Sequence, residues 1–258
     1  CMSSSTMLAS LFTISSFFGG DFWKGVLEVL DLFVGQWKQP YLKGSMPTHY
    51  YDAKDGYPDT LLINDGNGNF TDGTEAAGLA AKRDRRTYSA SFADLDGDDD
   101  MDLLIGKGDG RLALFRNIGN QKESNLRLET EDFEVIHEEK DANQQLMYLN
   151  KVVDVGKNAA PDLVDIDDDG DLDLFVGGRL VPGSYPEAPQ SELLQNDGGK
   201  KFVDVSAGRC GGLVTSALWT DVDADGWLDL LVTREWGTIA LFRNNKGELI
   251  EDTQKAGL

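Results

Sequence analysis

The sequence predicts an all-β fold, a β-propeller built of four-stranded antiparallel blades, and three observations carry this prediction. An acidic nine-residue frame recurs three times, and each copy runs directly into a short apolar segment of strand length. Downstream of each copy a second strand ends in Asn, Asp or Gly, which are typical hairpin residues. These units repeat in tandem at about 60 residues, the period expected of propeller blades.

The clearest copy of the acidic frame is residues 165–173, Asp-Ile-Asp-Asp-Asp-Gly-Asp-Leu-Asp. Carboxylates at its first, third, fifth and ninth places can converge on one hard cation, because a backbone that wraps an ion turns alternate side chains inward. Gly170 at the sixth place permits the positive φ of a sharp turn, and the seventh residue can offer its backbone carbonyl. A donor set made of oxygen alone favours calcium over metals that prefer nitrogen or sulfur.

Two further copies share this spacing. Residues 221–229 keep a glycine, Gly226, at the sixth place, whereas residues 94–102 carry Asp99 there, and Asp tolerates a left-handed conformation better than most residues. A single acidic run is often only a solvated surface, but two like charges about 4 Å apart repel by roughly 4 kcal/mol at an effective dielectric near 20, so three such loops would oppose folding without cations. The sequence therefore predicts three calcium sites. The expected ligands are Asp94, Asp96, Asp98, Asp100, Asp102, Asp165, Asp167, Asp169, Asp171, Asp173, Asp221, Asp223, Asp225, Trp227 and Asp229, with Trp227 contributing its carbonyl.

An EF-hand is excluded, because its loop needs a Glu at the twelfth place and a helix on each side. The twelfth places here are Ile105, Val176 and Val232. Four blades are predicted within a single region that covers the whole chain, over about residues 10–80, 86–150, 158–207 and 213–258.

The first and second blades are the irregular ones. Residues 31–35 repeat the Asp-Leu-Phe-Val-Gly of residues 173–177, which indicates a further copy of the unit. Its first, third and fifth loop places hold Trp23, Gly25 and Leu27, so the first blade is expected to bind no calcium. An amphipathic helix over residues 22–33 is the alternative interpretation of that stretch. In the second blade the outer strand is expected at residues 133–136, Phe-Glu-Val-Ile.

Composition restricts the possible partners. The formal net charge is −21 and no basic stripe is present, which argues against nucleic acid. Cys1 and Cys210 are too few for a disulfide scaffold.

Residues 1–20 are uncharged, but their apolar run is too short to cross a bilayer. We interpret this segment as the start of the first structural unit, with an export-signal remnant, an acylated Cys1 or a fragment of a longer chain as alternatives.

Residues 92–104, Phe-Ala-Asp-Leu-Asp-Gly-Asp-Asp-Asp-Met-Asp-Leu-Leu, resemble the FG-GAP/VCBS repeats of integrin-α-like propellers. Residues 174–190 and 217–230 look more closely like VCBS-repeat proteins related to the ASPIC/UnbV and cartilage-acidic-protein group. The resemblance covers about residues 20–258. It implies calcium ions on one face of a propeller in an exported or cell-surface protein, usually a binding module. Because such propellers commonly have more blades, this chain is expected to form a partial one.

Loops between the second and third strands of each blade should lie on the face opposite the calcium loops. These loops are rich in aromatic residues, which can stack on sugars or anchor a protein partner. Packing between blades is the alternative role. The candidate ligand-binding residues are Trp37, Tyr41, Tyr185 and Trp236.

No catalytic constellation is visible. His49 and His137 are the only histidines, neither has a zinc-ligand spacing, and no nucleophile elbow or phosphate-cradling loop occurs. The sequence therefore predicts a non-enzymatic calcium-binding module for protein or adhesion-type binding, with lectin-like carbohydrate binding as the alternative and a propeller hydrolase or lyase as a third possibility. Extracellular loops of this kind bind calcium at about 10⁻⁴–10⁻³ M, so the expected location is extracellular, at the cell surface or in the cell envelope, including the periplasm.

Overall fold

The computed structural model describes residues 10–13, 31–35, 58–81, 86–119, 124–140, 143–196, 198, 201–206 and 211–258. Within these residues eighteen strands lie in four sheets, followed by one short helix. The fold is all-β, and successive sheets pack face to face as the blades of a partial β-propeller. This confirms the fold class that the sequence predicts.

The first sheet contains β1 (Ser10–Thr13), β2 (Leu32–Gly35), β3 (Thr60–Asn64) and β4 (Phe70–Asp72). The second contains β5 (Thr87–Ala93), β6 (Asp102–Lys107), β7 (Leu112–Asn117) and β8 (Leu126–Thr130). A hairpin follows, made of β9 (Glu134–Lys140) and β10 (Leu146–Val152). The third sheet is built on β11 (Ala160–Val164), β12 (Asp173–Gly177), β13 (Glu192–Asn196) and β14 (Phe202–Asp204). The fourth contains β15 (Val214–Thr220), β16 (Asp229–Arg234), β17 (Ala240–Asn245) and β18 (Glu248–Glu251), and α1 (Thr253–Ala256) follows it.

Each acidic loop joins the first and second strands of its sheet, and the ninth-place aspartate begins the second strand. The antiparallel pairs that close the three loops are Ala93 with Asp102, Val164 with Asp173, and Thr220 with Asp229. Because the strands alternate in direction, the three acidic loops lie at one end of the sheets and the loops between second and third strands lie at the other.

Apolar layers fill the space between neighbouring sheets. Strands β6 and β12 are buried along their whole length, which explains why residues 103–106 and 174–177 are continuously apolar instead of alternating. The layer between the first and second sheets contains Phe33, Leu103 and Phe115. The layer between the second and third sheets contains Leu104, Leu114 and Leu174. The layer between the third and fourth sheets contains Phe175, Leu230 and Phe242. Polar side chains also join the blades: the hydroxyl of Ser89 donates to the carbonyl of Ala159 over 2.7 Å, from β5 to the start of the third sheet.

The prediction for residues 133–136 is wrong. The outer strand of the second sheet is β8, whereas β9 lies beside β14 with Ile136 opposite Val203 in a parallel pairing. With β10 at its edge, the third sheet therefore has six strands. The physical reason is burial: the rings of Phe133 and Phe202 meet edge to face at 5.5 Å, and Val135 is buried in the layer between the second and third sheets.

Residues 32–35 of the first sheet form a strand, so the helix considered for residues 22–33 does not extend through them. Residues 1–9, which include Cys1, and residues 14–30 lie outside the described residues. Within the part of the chain that is described, no helix has the length and hydrophobicity that a bilayer span requires.

Candidate metal centres

Each acidic loop contains two residues with a left-handed backbone, at its fourth and sixth places. At the sixth place φ is 67° for Asp99, 94° for Gly170 and 96° for Gly226. At the fourth place φ is 74° for Gly97, 60° for Asp168 and 61° for Ala224. The sixth-place turn was expected from the sequence, and Asp99 adopts it without being glycine. The fourth-place turn could not be recognised, because its residue type differs in every copy.

The first-place aspartate shapes each loop from within. The carboxylate of Asp94 accepts hydrogen bonds from the backbone N–H groups of Gly97 at 2.7 Å and Asp99 at 2.8 Å. The carboxylates of Asp165 and Asp221 likewise accept the N–H of the glycine at the sixth place, at 3.1 and 3.0 Å. The backbone of each loop therefore wraps around the carboxylate of its first-place aspartate.

The ninth-place aspartate is buried and anchors the loop to two strands. Asp102, Asp173 and Asp229 are at most 1% exposed. Each accepts the N–H of the second residue of its own loop and that of the asparagine ending the third strand of its sheet, the latter at 2.8–2.9 Å. Burial raises the pKa of Asp173 to about 6 despite these hydrogen bonds. The asparagines are Asn117, Asn196 and Asn244.

Among the described residues, three groups of acids each bring three carboxylate oxygens within 4.8 Å of one another. The groups are Asp94 with Asp96 and Asp98, Asp165 with Asp167 and Asp173, and Asp221 with Asp223 and Asp225. The structure thus brings together the first-place and third-place carboxylates of every loop. The third member of the group is the fifth-place aspartate in the 94 and 221 loops and the ninth-place aspartate in the 165 loop. Asp102, Asp169 and Asp229 lie outside these groups. The proposed carbonyl ligands Asp100, Asp171 and Trp227 stay predictions.

The donor set of the 165 loop fits a hard cation. The Oδ1 atoms of Asp165 and Asp167 are buried, and among the described residues they have no hydrogen-bond partner. A buried polar atom without a partner costs about 1–3 kcal/mol, and more when it is charged. An ion that prefers carboxylate and carbonyl oxygens would satisfy both atoms, and calcium has that preference.

Three side chains that the sequence analysis missed also reach these loops. They precede the asparagine that ends each third strand. Arg116 Nη1 lies 2.5 Å from Asp102 Oδ2, and Arg243 Nη1 lies 2.7 Å from Asp229 Oδ2. In the 165 loop the equivalent residue is Gln195, which donates its amide N–H to Asp167. The signal that could have found them is the recurrence of Arg-Asn or Gln-Asn at the end of this strand.

A family model described as an FG-GAP-like repeat matches residues 30–105 and 165–232, more than half of the 258 residues. The chain belongs to the FG-GAP-like repeat family. Both matched regions contain acidic loops, so the candidate metal centres lie within the FG-GAP-like repeats themselves. The finer relation to the ASPIC/UnbV and cartilage-acidic-protein group stays a prediction. A search of characterised proteins finds no significant match.

At the opposite end of the sheets, this FG-GAP-like chain carries an aromatic patch, made of Tyr185, Trp236, Glu235 and Arg179. The indole N–H of Trp236 donates to the hydroxyl of Tyr185 over 2.6 Å, and the two rings are 6.3 Å apart at 79°. Glu235 accepts the Tyr185 hydroxyl at 3.3 Å and pairs with Arg179 at 3.2 Å. Trp236 remains 69% exposed, so it is not packed between blades.

The other two residues proposed for ligand binding, Trp37 and Tyr41, lie outside the described residues. The patch therefore rests on the loops that follow β12 and β16. A further contact ties it to the second sheet, because a guanidinium N–H of Arg179 donates to the hydroxyl of Tyr88 over 3.3 Å.

A separate acidic group lies in the third sheet, on the neighbouring strands β13 and β14. Burial, followed by the charges of Asp204 and Asp154, raises the pKa of Glu192 to about 7. Asp204 also lies 3.0 Å from the Nδ1 atom of His137. The Glu192 carboxylate therefore changes its charge near neutral pH, and this bears on stability as discussed below.

Proposed function

We propose that this FG-GAP-like chain is a non-enzymatic calcium-binding propeller module of an exported or cell-surface protein. The observation that supports the proposal most strongly is the 165 loop, where carboxylate oxygens of Asp165, Asp167 and Asp173 converge within 4.8 Å. Two buried oxygens of this loop have no hydrogen-bond partner among the described residues. When bound, a calcium ion supplies the positive charge that these carboxylates need.

The residues around the 165 loop connect it to the fourth blade. Asn244 donates its side-chain N–H to the carbonyl of Ile166 over 2.7 Å. Gly247 lies so close to Asp167 that a Cβ placed on it would be 2.8 Å from the Cβ of Asp167. Ordering this loop therefore orders the contact between the third and fourth blades, which gives calcium a structural role.

The proposed location rests on affinity and on the family. Loops of this type in extracellular modules bind calcium at about 10⁻⁴–10⁻³ M, a concentration found outside cells. FG-GAP repeats are typical of extracellular and surface proteins. Three calcium ions add six positive charges to the formal −21, which leaves −15, so the module stays acidic in its bound state.

Calorimetric titration with calcium, combined with thermal melting in calcium and in chelator, tests this function. Binding to the native state alone should raise stability by about 2.7 kcal/mol for each site at a calcium concentration of 100 times Kd. Magnesium should stabilise less, because it requires a rigid octahedral site. The proposal fails if calcium at 10 mM produces neither binding heat nor a change in melting temperature.

We propose the aromatic patch as the partner surface, and an adhesion-type protein contact as its role, because Trp, Tyr and Arg are the residues that anchor protein interfaces. Carbohydrate is a second candidate, since the exposed ring of Trp236 stands beside the polar groups of Glu235 and Arg179. A glycan array with the wild-type chain and Trp236→Ala separates the two. A glycan signal that the variant loses would establish the carbohydrate role, and no glycan signal would exclude it.

A further inference from the structure

We propose that the three calcium loops are not equivalent: Arg116 and Arg243 are built-in counter-ions that weaken calcium binding in their own loops, so the 165 loop is the tightest site. This inference rests on the proposed calcium function and concerns how the affinity is distributed among the sites. The difference among the loops comes from the residue before the asparagine that ends each third strand. This residue is an arginine in two of the sheets and a glutamine in the third sheet.

In the 94 loop this position holds a cation. Arg116 Nη1 lies 2.5 Å from Asp102 Oδ2 and 3.8 Å from Asp96 Oδ2, so one guanidinium faces the ninth and third places together. Its Nε atom is fixed from the other side by Glu129, at 2.6 Å. The side chain is only 20% exposed, which limits the screening of its charge by water.

The 221 loop repeats this arrangement. Arg243 Nη1 lies 2.7 Å from Asp229 Oδ2 and 3.3 Å from Asp223 Oδ2. Asp252, just before α1, holds the Nε atom at 3.6 Å. The ninth-place carboxylate is therefore already neutralised in both loops. This agrees with the carboxylate groups described above, in which Asp102 and Asp229 do not take part.

None of the described residues supplies such a cation to the 165 loop. Gln195 occupies the position and donates a neutral amide N–H to Asp167. No arginine, lysine or histidine among the described residues forms an ion pair with Asp165, Asp167 or Asp173. Here the ninth-place Asp173 does join the carboxylate group, together with Asp165 and Asp167.

The chemical consequence concerns competition for carboxylates. In two loops a guanidinium competes with calcium for the third-place and ninth-place oxygens and repels any dication beside it. In the 165 loop no cation among the described residues competes for the carboxylates of Asp165, Asp167 and Asp173. We expect the 165 loop to bind calcium at least tenfold more tightly than the other two. Calcium then acts mainly where the third and fourth blades meet, and the arginine loops keep their shape without it.

Calorimetric titration of the whole chain with calcium alone tests whether the 165 loop binds calcium more tightly than the 94 and 221 loops. The wild type should show one tight ion and a separate, weaker class. Gln195→Arg should weaken the tight ion at least tenfold, and Arg116→Gln or Arg243→Gln should each add a second tight ion. Gln190→Arg is the matched control, because it adds the same charge on an exposed residue of the opposite loop and should leave the tight ion unchanged.

The outcomes separate the two proposals. Equal affinity at all sites in the wild type, or a tight ion that survives Gln195→Arg, would overturn the inference while leaving calcium binding intact. A complete absence of binding heat would overturn the proposed function itself. Circular dichroism verifies that each variant is folded. If Gln195→Arg fails to fold, the two Arg→Gln variants decide the matter, since an unchanged titration curve for both contradicts the inference.

Discussion

Replacing Asp167 by Asn in the 165 loop should shift stability in opposite directions in the chelated and calcium-bound states. The substitution keeps the shape of the side chain but removes one negative charge. Asp167 is half-buried, and its carboxylate lies within 4.8 Å of oxygens of Asp165 and Asp173. Two charges at that distance repel by roughly 3.5 kcal/mol at an effective dielectric of 20 and by about 0.9 kcal/mol at that of water.

We therefore expect the chelated variant to be more stable than the chelated wild type by roughly 1–3 kcal/mol. In contrast, the gain in stability on adding calcium should shrink by up to about 2.7 kcal/mol at 100 times the wild-type Kd, because a ligand is lost. For a chain of this size, 1 kcal/mol corresponds to about 2–4 °C in melting temperature. Thermal and urea unfolding in chelator and in 10 mM calcium measure both effects.

Glu187→Gln is the matched control, because it removes one negative charge from an exposed residue of the opposite loop. It should change neither the chelated stability nor the calcium response by a comparable amount. If Asp167→Asn is less stable than wild type in chelator, the repulsion argument is wrong. If its calcium response equals that of the wild type, Asp167 is not a ligand.

Three further substitutions test other parts of the structure. Gly247→Ala should destabilise the chain by about 1–2 kcal/mol or more, because φ of Gly247 is +90° and the new Cβ would collide with Asp167. Displacing Asp167 should also weaken calcium binding. Urea unfolding measures the loss of stability, and calorimetry measures the loss of calcium affinity. Ala224→Gly should stabilise by up to about 1 kcal/mol, because Ala224 has φ of 61° in a left-handed turn. Glu192→Gln should stabilise the chain by about 1–3 kcal/mol at pH 8, because the pKa of Glu192 is raised to about 7 and its charged form is disfavoured in the folded state.

The pH dependence of the last variant has a definite sign. Between the ordinary Glu pKa of 4.5 and about 7, the folded wild type holds a proton that the unfolded chain has lost, so its stability falls as pH rises. The advantage of Glu192→Gln should therefore disappear as pH falls from 7 towards 4.5. An advantage that is constant with pH would contradict the burial argument. For Gly247→Ala and Ala224→Gly, unchanged urea midpoints would contradict the backbone argument.

The sequence by itself determined the acidic loops and the strands that follow them. A nine-residue loop is a local object: the spacing of its acids and the sixth-place turn depend on the chain between Asp165 and Asp173 alone. The apolar strands could also be predicted from the sequence, because the central residues of strands buried on both faces are continuously apolar. The repeat of these two features predicted an all-β propeller fold, and the structure and the family match agree with it.

Only the tertiary structure decided which distant side chains complete each loop. Arg116, Gln195 and Arg243 reach the acids through strand pairing. The sequence of a loop alone does not indicate which side chain of the third strand will lie against it. The same reason explains the hairpin of β9 and β10, whose sequence predicts a strand but not the sheet edge that it joins. Local sequence determines turns and strand propensity, whereas the partners of a strand depend on which surfaces the whole chain buries.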